Sequence, residues 1–133
     1  MKLFPRLSAA LAIACAVGVG AGAAAAQDFA FGNFKEQTGE SLWQGICQGC
    51  HMPNAQGAVG AGAYPKLAGD PLLASNIYPV MMVLNGHKAM PAFGANLSDA
   101  QVAEVVNYLR THFGNKYNDP VTPAQVKALR GGP

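Results

Sequence analysis

The chain has 133 residues, 50% of them hydrophobic and 12% charged, against roughly 25% charged in typical soluble domains. A formal net charge of +2 is too small to provide the basic footprint needed to bind nucleic acid or lipid headgroups. The length supports one small domain and excludes two full ones.

The excess of apolar residues sits at the start. Residues 7–26 contain no charged side chain, and Lys2 and Arg6 stand just ahead of them. A basic start, an apolar run from Leu7 to about Val19, and the small residues Ala24-Ala25-Ala26 before Gln27 have the layout of a Sec-type export signal. Cleavage there leaves residues 27–133. The alternative is an uncleaved membrane anchor. However, ten of the twenty residues are Ala and three are Gly, so the segment is weakly apolar for a span. Lipidation at Cys15 would want Leu three residues ahead, where Ala12 stands. Losing Lys2 and Arg6 leaves seven basic residues facing seven acidic ones. The mature chain is therefore expected to be neutral and periplasmic, with no membrane span after cleavage and no nucleic-acid partner.

The remainder divides into an N-terminal arm (27–37), a domain (38–114) and a C-terminal extension (115–133). Phe29, Phe31 and Phe34 in the arm are expected to pack on the domain's own surface, with docking onto a partner as the alternative. A first helix is predicted after Thr38, carrying Leu42, Trp43 and Ile46, and Gly39 would let another backbone approach closely. It leads into Cys47-Gln48-Gly49-Cys50-His51. In an exported chain two cysteines pair by default, and a disulfide-bearing binding module is one reading. Cys-x-x-Cys followed directly by His is, however, the attachment motif of a c-type haem. Two thiols three positions apart can each add to one porphyrin vinyl group, and the next residue then carries its imidazole under the ring. A redox dithiol would expect a βαβ context. A zinc site would need two more ligands, and His87 and His112 do not come as a pair.

From His51 to Gly69 the chain is rich in Gly and Pro and reads as loop. Asp70-Pro71 caps a short helix, which Pro79 is expected to break. A second segment from Pro79 to about Leu84 stops at Asn85-Gly86. The best-marked helix begins at Ser98. Gln101 completes a capping box, Leu97 can staple onto Val102, and Val102, Val105, Val106, Leu109 and Phe113 recur at helical spacing until Gly114. Thr122-Pro123 opens a last short helix through Leu129. Nothing alternates well enough for a sheet, so the fold class is all-α, with loops wrapped on a cofactor that supplies core volume.

The chain resembles the class I cytochromes c, small exported monohaem electron carriers. The resemblance rests on Cys47-Gln48-Gly49-Cys50-His51, on Met90-Pro91-Ala92-Phe93 some forty residues later, and on the closing helix ending Val106-Asn107-Tyr108-Leu109-Arg110. Tyr64-Pro65-Lys66-Leu67-Ala68-Gly69 and Leu97-Ser98-Asp99 are similar to bacterial members that serve as partner or subunit of periplasmic dehydrogenases. The resemblance implies a small class I fold on one covalent haem c. It also implies that the first and last helices cross, with Gly39 and Trp43 against Tyr108.

The residues leave several candidates for the second axial ligand. Met52 adjoins His51 on the wrong side of the ring, and Met81 and Met82 read as helix core filling. His87 and an open site remain as alternatives to Met90, which lies between a helix stop and a rigid proline. The resemblance favours Met90, since the family places its thioether in a Met-Pro context. It also implies that the Pro65 carbonyl accepts the His51 imidazole N–H. Tyr64 and Tyr78 are candidate donors to the haem propionates. His51 and Met90 together leave iron no open position, which argues for electron transfer between a dehydrogenase and an oxidase or other respiratory acceptor rather than for enzymatic catalysis. A haem enzyme or a gas or redox sensor would need a labile sixth ligand. Contact with redox partners is expected to rely on small residues around the haem edge, Ala58, Ala61, Ala89 and Ala92. Lys66 and Lys88 would adjust orientation only.

Overall fold

Thr38 starts the first described helix as an N-cap. Its hydroxyl accepts from the Ser41 backbone N–H at 3.2 Å, while the Ser41 side chain accepts from the Thr38 N–H, so two of the orphan donors at the helix start are satisfied. The computed structural model describes residues 33–60 and 62–130. The expected signal, Cys15, Phe29, Phe31 and Ala61 lie outside the described residues. The helical elements are α1 (Gly39–Leu42), a π-helical stretch (Trp43–Cys47), α2 (Gln48–His51), a 3₁₀ turn (Pro71–Ala74), α3 (Ile77–Asn85), α4 (Asp99–Thr111) and α5 (Pro123–Arg130).

Three sequence expectations need correction. A two-residue antiparallel pair, β1 (Ala58–Val59) and β2 (Ala63–Tyr64), joins Ala58 to Tyr64 and Val59 to Ala63. It is too short for alternation to be visible, and the fold stays helical. Pro79 breaks nothing: α3 begins at Ile77, which puts Pro79 in the first turn, where no N–H is required. Its ring is buried. Finally, α4 ends at Thr111, before Gly114, because His112 turns extended and Phe113 takes a φ of 56°.

The other helix signals act as expected. The Ser98 hydroxyl accepts from the Gln101 N–H at 3.2 Å and the Gln101 side chain accepts from the Ser98 N–H at 2.8 Å. Leu97 and Val102 are buried in one cluster. Asp70 accepts from the Leu72 N–H at 2.9 Å and sets the 3₁₀ turn.

The main core gathers Leu42, Val80, Leu84, Phe93, Leu97, Val102, Val105 and Val106 with Val121 and Val126 from beyond α4, and Phe34 packs against it. A second cluster holds Trp43, Ala55, Ala68, Leu73 and Leu109, with Phe113 4.8 Å from the Trp43 ring. Trp43 buries its indole although Nε1 finds no hydrogen-bond partner among the described residues. Such an orphan costs about 1–3 kcal/mol, and burying a large aromatic surface offsets it.

Polar side chains tie the tail to α4. Arg110 is fully buried. Its guanidinium donates to the Leu73 carbonyl at 2.9 Å and to the Asp119 carbonyl and carboxylate, and this partner holds the Asp119 carboxyl below its usual range. Asn107 exchanges two hydrogen bonds with the Val121 backbone, at 2.9 and 2.8 Å.

The crossing of α1 over α4 is a close backbone approach. A Cβ on Gly39 would overlap the Glu104 carbonyl oxygen and Tyr108 Cβ, neither of which can rotate away. Helix propensity favours Ala over Gly by about 1 kcal/mol, whereas forcing atoms into a filled contact costs about 1–3 kcal/mol or more. The clash wins. Gly39→Ala should therefore lower the denaturation midpoint without changing the denaturant slope, and an unchanged or raised midpoint would disprove the close crossing.

Candidate functional site

The helix running into the cysteines is locally underwound. The Gln48 N–H bonds to the Trp43 carbonyl, one residue further back than in an α-helix, and this π stretch rotates Cys47, Cys50 and His51 about the axis. The sequence carries no signal for it. Both cysteines are free thiols. Cys47 is packed at the border of both apolar clusters, and its thiol is pushed up to about 12 by burial and secondarily by Cys50. Cys50 is exposed.

His51 closes α2 and is buried. Its Nδ1 lies 3.3 Å from the Pro65 carbonyl oxygen. Burial lowers the imidazole pKa, opposed by that carbonyl, so the ring is favoured in its neutral form, with Nδ1 as donor and Nε2 left as a lone pair. The loop between them is folded to make this possible. The Ala55 carbonyl accepts from both the Leu67 and Ala68 N–H groups at 2.8 and 3.0 Å, and the Gly57 N–H donates to the His51 carbonyl at 3.1 Å. Met52 and Ala55 adopt positive φ, 65° and 57°. These loop bonds were not legible in the sequence, which shows only that the stretch is irregular.

Met90 sits in a second built loop. His87 and Met90 form an isolated antiparallel bridge, with N–H to carbonyl distances of 3.0 and 2.9 Å. Beyond it the Phe93 and Gly94 N–H groups bond to the Val83 and Leu84 carbonyls at the end of α3, at 2.9 and 3.1 Å. Met90 is half-buried and packs against the same core cluster as Cys47. His87 is exposed, as are Tyr64 and Tyr78. Met81 is half-buried in α3, its sulfur 3.8 Å from Asn85 Nδ2.

The donor set fits a c-type haem: two free thiols at the attachment spacing, a neutral buried imidazole with one nitrogen already engaged, and a soft thioether on a pinned loop. Short helices and Gly-rich loops gathered around a Cys-x-x-Cys-His segment define a monohaem class I cytochrome c. Comparison with known proteins agrees. Residues 35–109 match the family described as cytochrome C oxidase, cbb3-type, subunit III, and the chain belongs to this family of c-type cytochrome domains, whose cofactor is covalently bound haem c.

Among similar proteins is the fructose dehydrogenase cytochrome subunit of Gluconobacter japonicus, 33% identical over an alignment of 113 positions that covers 74% of this chain and 23% of that protein. The gluconate 2-dehydrogenase cytochrome c subunit of Pantoea cypripedii is 37% identical over 106 residues, 71% of this chain and 24% of that protein. Cytochrome c-552 of Thermus thermophilus is 33% identical over 105 residues, 63% of this chain and 78% of its own length. The chain thus spans about a quarter of the dehydrogenase subunits it matches. Among the described residues no helix is long and apolar enough to cross a membrane.

One residue of the site was missed as such. Gly86 reads in sequence as a helix stop, but it also has φ of 69°, and a Cβ there would come within 2.5 Å of the Met90 carbonyl oxygen and 2.7 Å of the Ala92 nitrogen. Gly86→Ala should destabilise the protein by about 1–3 kcal/mol. A chemical denaturation curve equal to wild type would show that the Met90 loop is not pinned at its entry.

Proposed function

We propose that the chain is an exported, periplasmic one-electron carrier that takes electrons from a dehydrogenase and passes them to an oxidase or another respiratory acceptor. In this reading Cys47 and Cys50 would hold the haem through two thioethers, His51 and Met90 would ligate its iron, and Pro65 would orient His51. Bound haem supplies a reversible ferric/ferrous couple. The observation that carries the proposal is the buried His51 at the end of the Cys-x-x-Cys helix with its Nδ1 held by Pro65. A ring fixed in this tautomer presents Nε2 without having to reorient, so little needs to move as an electron comes and goes.

The remaining residues act by exclusion and tuning. A Met90 thioether on the iron would leave no position for substrate or oxygen, and as a soft ligand it would favour the ferrous state and raise the potential. This closed coordination is what separates a carrier from a haem enzyme or sensor. The dehydrogenase donor is supported by relatives whose names describe cytochrome subunits of fructose, gluconate and alcohol dehydrogenases. Export is supported by the charge and apolar layout of residues 1–26.

Two measurements test this. The intact mass of the purified protein should equal residues 27–133 plus one haem, with haem on the peptide carrying Cys47 and Cys50. A mass equal to the apoprotein with a disulfide would refute it. Met90→Ala should keep the haem, lose the thioether charge-transfer band of the ferric spectrum and lower the potential, whereas Met81→Ala should do neither. The opposite pattern would move the ligand to Met81.

A further inference from the structure

The family match ends at residue 109, and the chain beyond it returns to the domain as α5. We propose that α5 is a clamp on the Met90 loop, with Arg130 as a positioning residue that keeps the thioether in place; this rests on the assignment of Met90 as axial ligand.

The placement of α5 comes from apolar packing. Val126 is fully buried in the main core with Val80, Leu84, Phe93, Leu97 and Val102, and Leu129 packs against the same cluster. This carries the last turn of α5 to the segment that follows Met90. There the Arg130 guanidinium donates from Nε to Asp99 Oδ1 at 2.8 Å, from one terminal nitrogen to the Gly94 carbonyl, and from the other to the Leu97 carbonyl at 2.9 Å. The planar fork thus meets two backbone carbonyls of one loop and a carboxylate in the first turn of α4.

The loop is thereby held on both sides. Its inner side bonds to the end of α3 through the Phe93 and Gly94 N–H groups, and its outer side bonds to Arg130. Met90 lies four residues before Gly94, with Pro91 stiffening the link. The Arg130 and Asp99 side chains are 30% and 28% exposed, so the ion pair itself adds little stability. The two carbonyl contacts do something a surface ion pair does not: they fix the conformation of a loop 33–36 residues earlier in the chain. Without them, conformers with the thioether displaced become more populated, and an outside ligand binds in proportion to that population.

The test is the affinity of the purified ferric holoprotein for imidazole, read together with the thioether charge-transfer band and a denaturation curve. Arg130→Ala should bind imidazole about tenfold more tightly than wild type and lose the band at a lower temperature. Arg130→Lys, which keeps the charge but not the fork, should fall between them. Asp99→Asn leaves both carbonyl contacts in place and should stay within about twofold of wild type. Arg130→Ala with wild-type imidazole affinity, whether or not its denaturation midpoint falls, would overturn the clamp and leave Arg130 a structural residue only. Met90→Ala measured in parallel separates the two ideas. If it kept the charge-transfer band, the ligand assignment itself would fail.

Discussion

The crossing of α1 over α4 is the constraint on which the rest of this protein depends. At Gly39 the first helix meets the backbone of α4 with no side chain between, and this contact fixes where a short, π-wound stretch delivers Cys47, Cys50 and His51. Together with the π stretch, α1 and α2 form one continuous helix over residues 39–51, still short enough to be marginal alone in water. They persist because Leu42 and Trp43 are buried against α4 and its surroundings. Tertiary packing therefore sets the local structure of the Cys-x-x-Cys-His segment, and a disturbance at the crossing would reach His51 through it.

Around that crossing the protein spends unusual polar groups on order. Arg110 carries a full charge with no exposed surface, and its partner Asp119 has a side chain 62% exposed. The backbone carbonyls of Leu73 and Asp119 therefore share in satisfying it. A buried charge with well-placed acceptors is a weak source of net stability but a strong penalty on any arrangement that leaves it unpaired. The same logic applies to Gln101, which after capping its own helix donates to the Phe34 and Glu36 carbonyls, and to Asn115, which donates to the Leu67 and Leu109 carbonyls. Loops with little regular structure are thus pinned by single side chains of α4 and of the turn after it.

Two loops have different tasks. The loop after α2 brings the Pro65 carbonyl to His51, and the loop after α3 presents Met90. Both are held by backbone hydrogen bonds to their own neighbourhood, so neither side of the proposed iron site relies on a flexible side chain alone. A carrier benefits from such rigidity, because little nuclear rearrangement then accompanies the change of charge. The tail beyond residue 109 adds to it, with Val121 and Val126 completing the core that Met90 packs against.

The sequence by itself determined the chemistry. Cys47, Cys50 and His51 must share one helical end because their spacing is covalent, and Ser98 with Gln101, Asp70 with Pro71, and Thr122 with Pro123 mark their helix starts through bonds that span only a few residues. Signals of this kind survive without knowledge of the fold. The rest was decided only in three dimensions: the π stretch, the two-residue sheet, the inclusion of Pro79 in α3, the loop bonds that carry Pro65 to His51, and the reach of Arg130 to Gly94 and Leu97. The last two have no local pattern, because each depends on which distant carbonyl is left without a partner when the apolar faces close, and that is settled by packing.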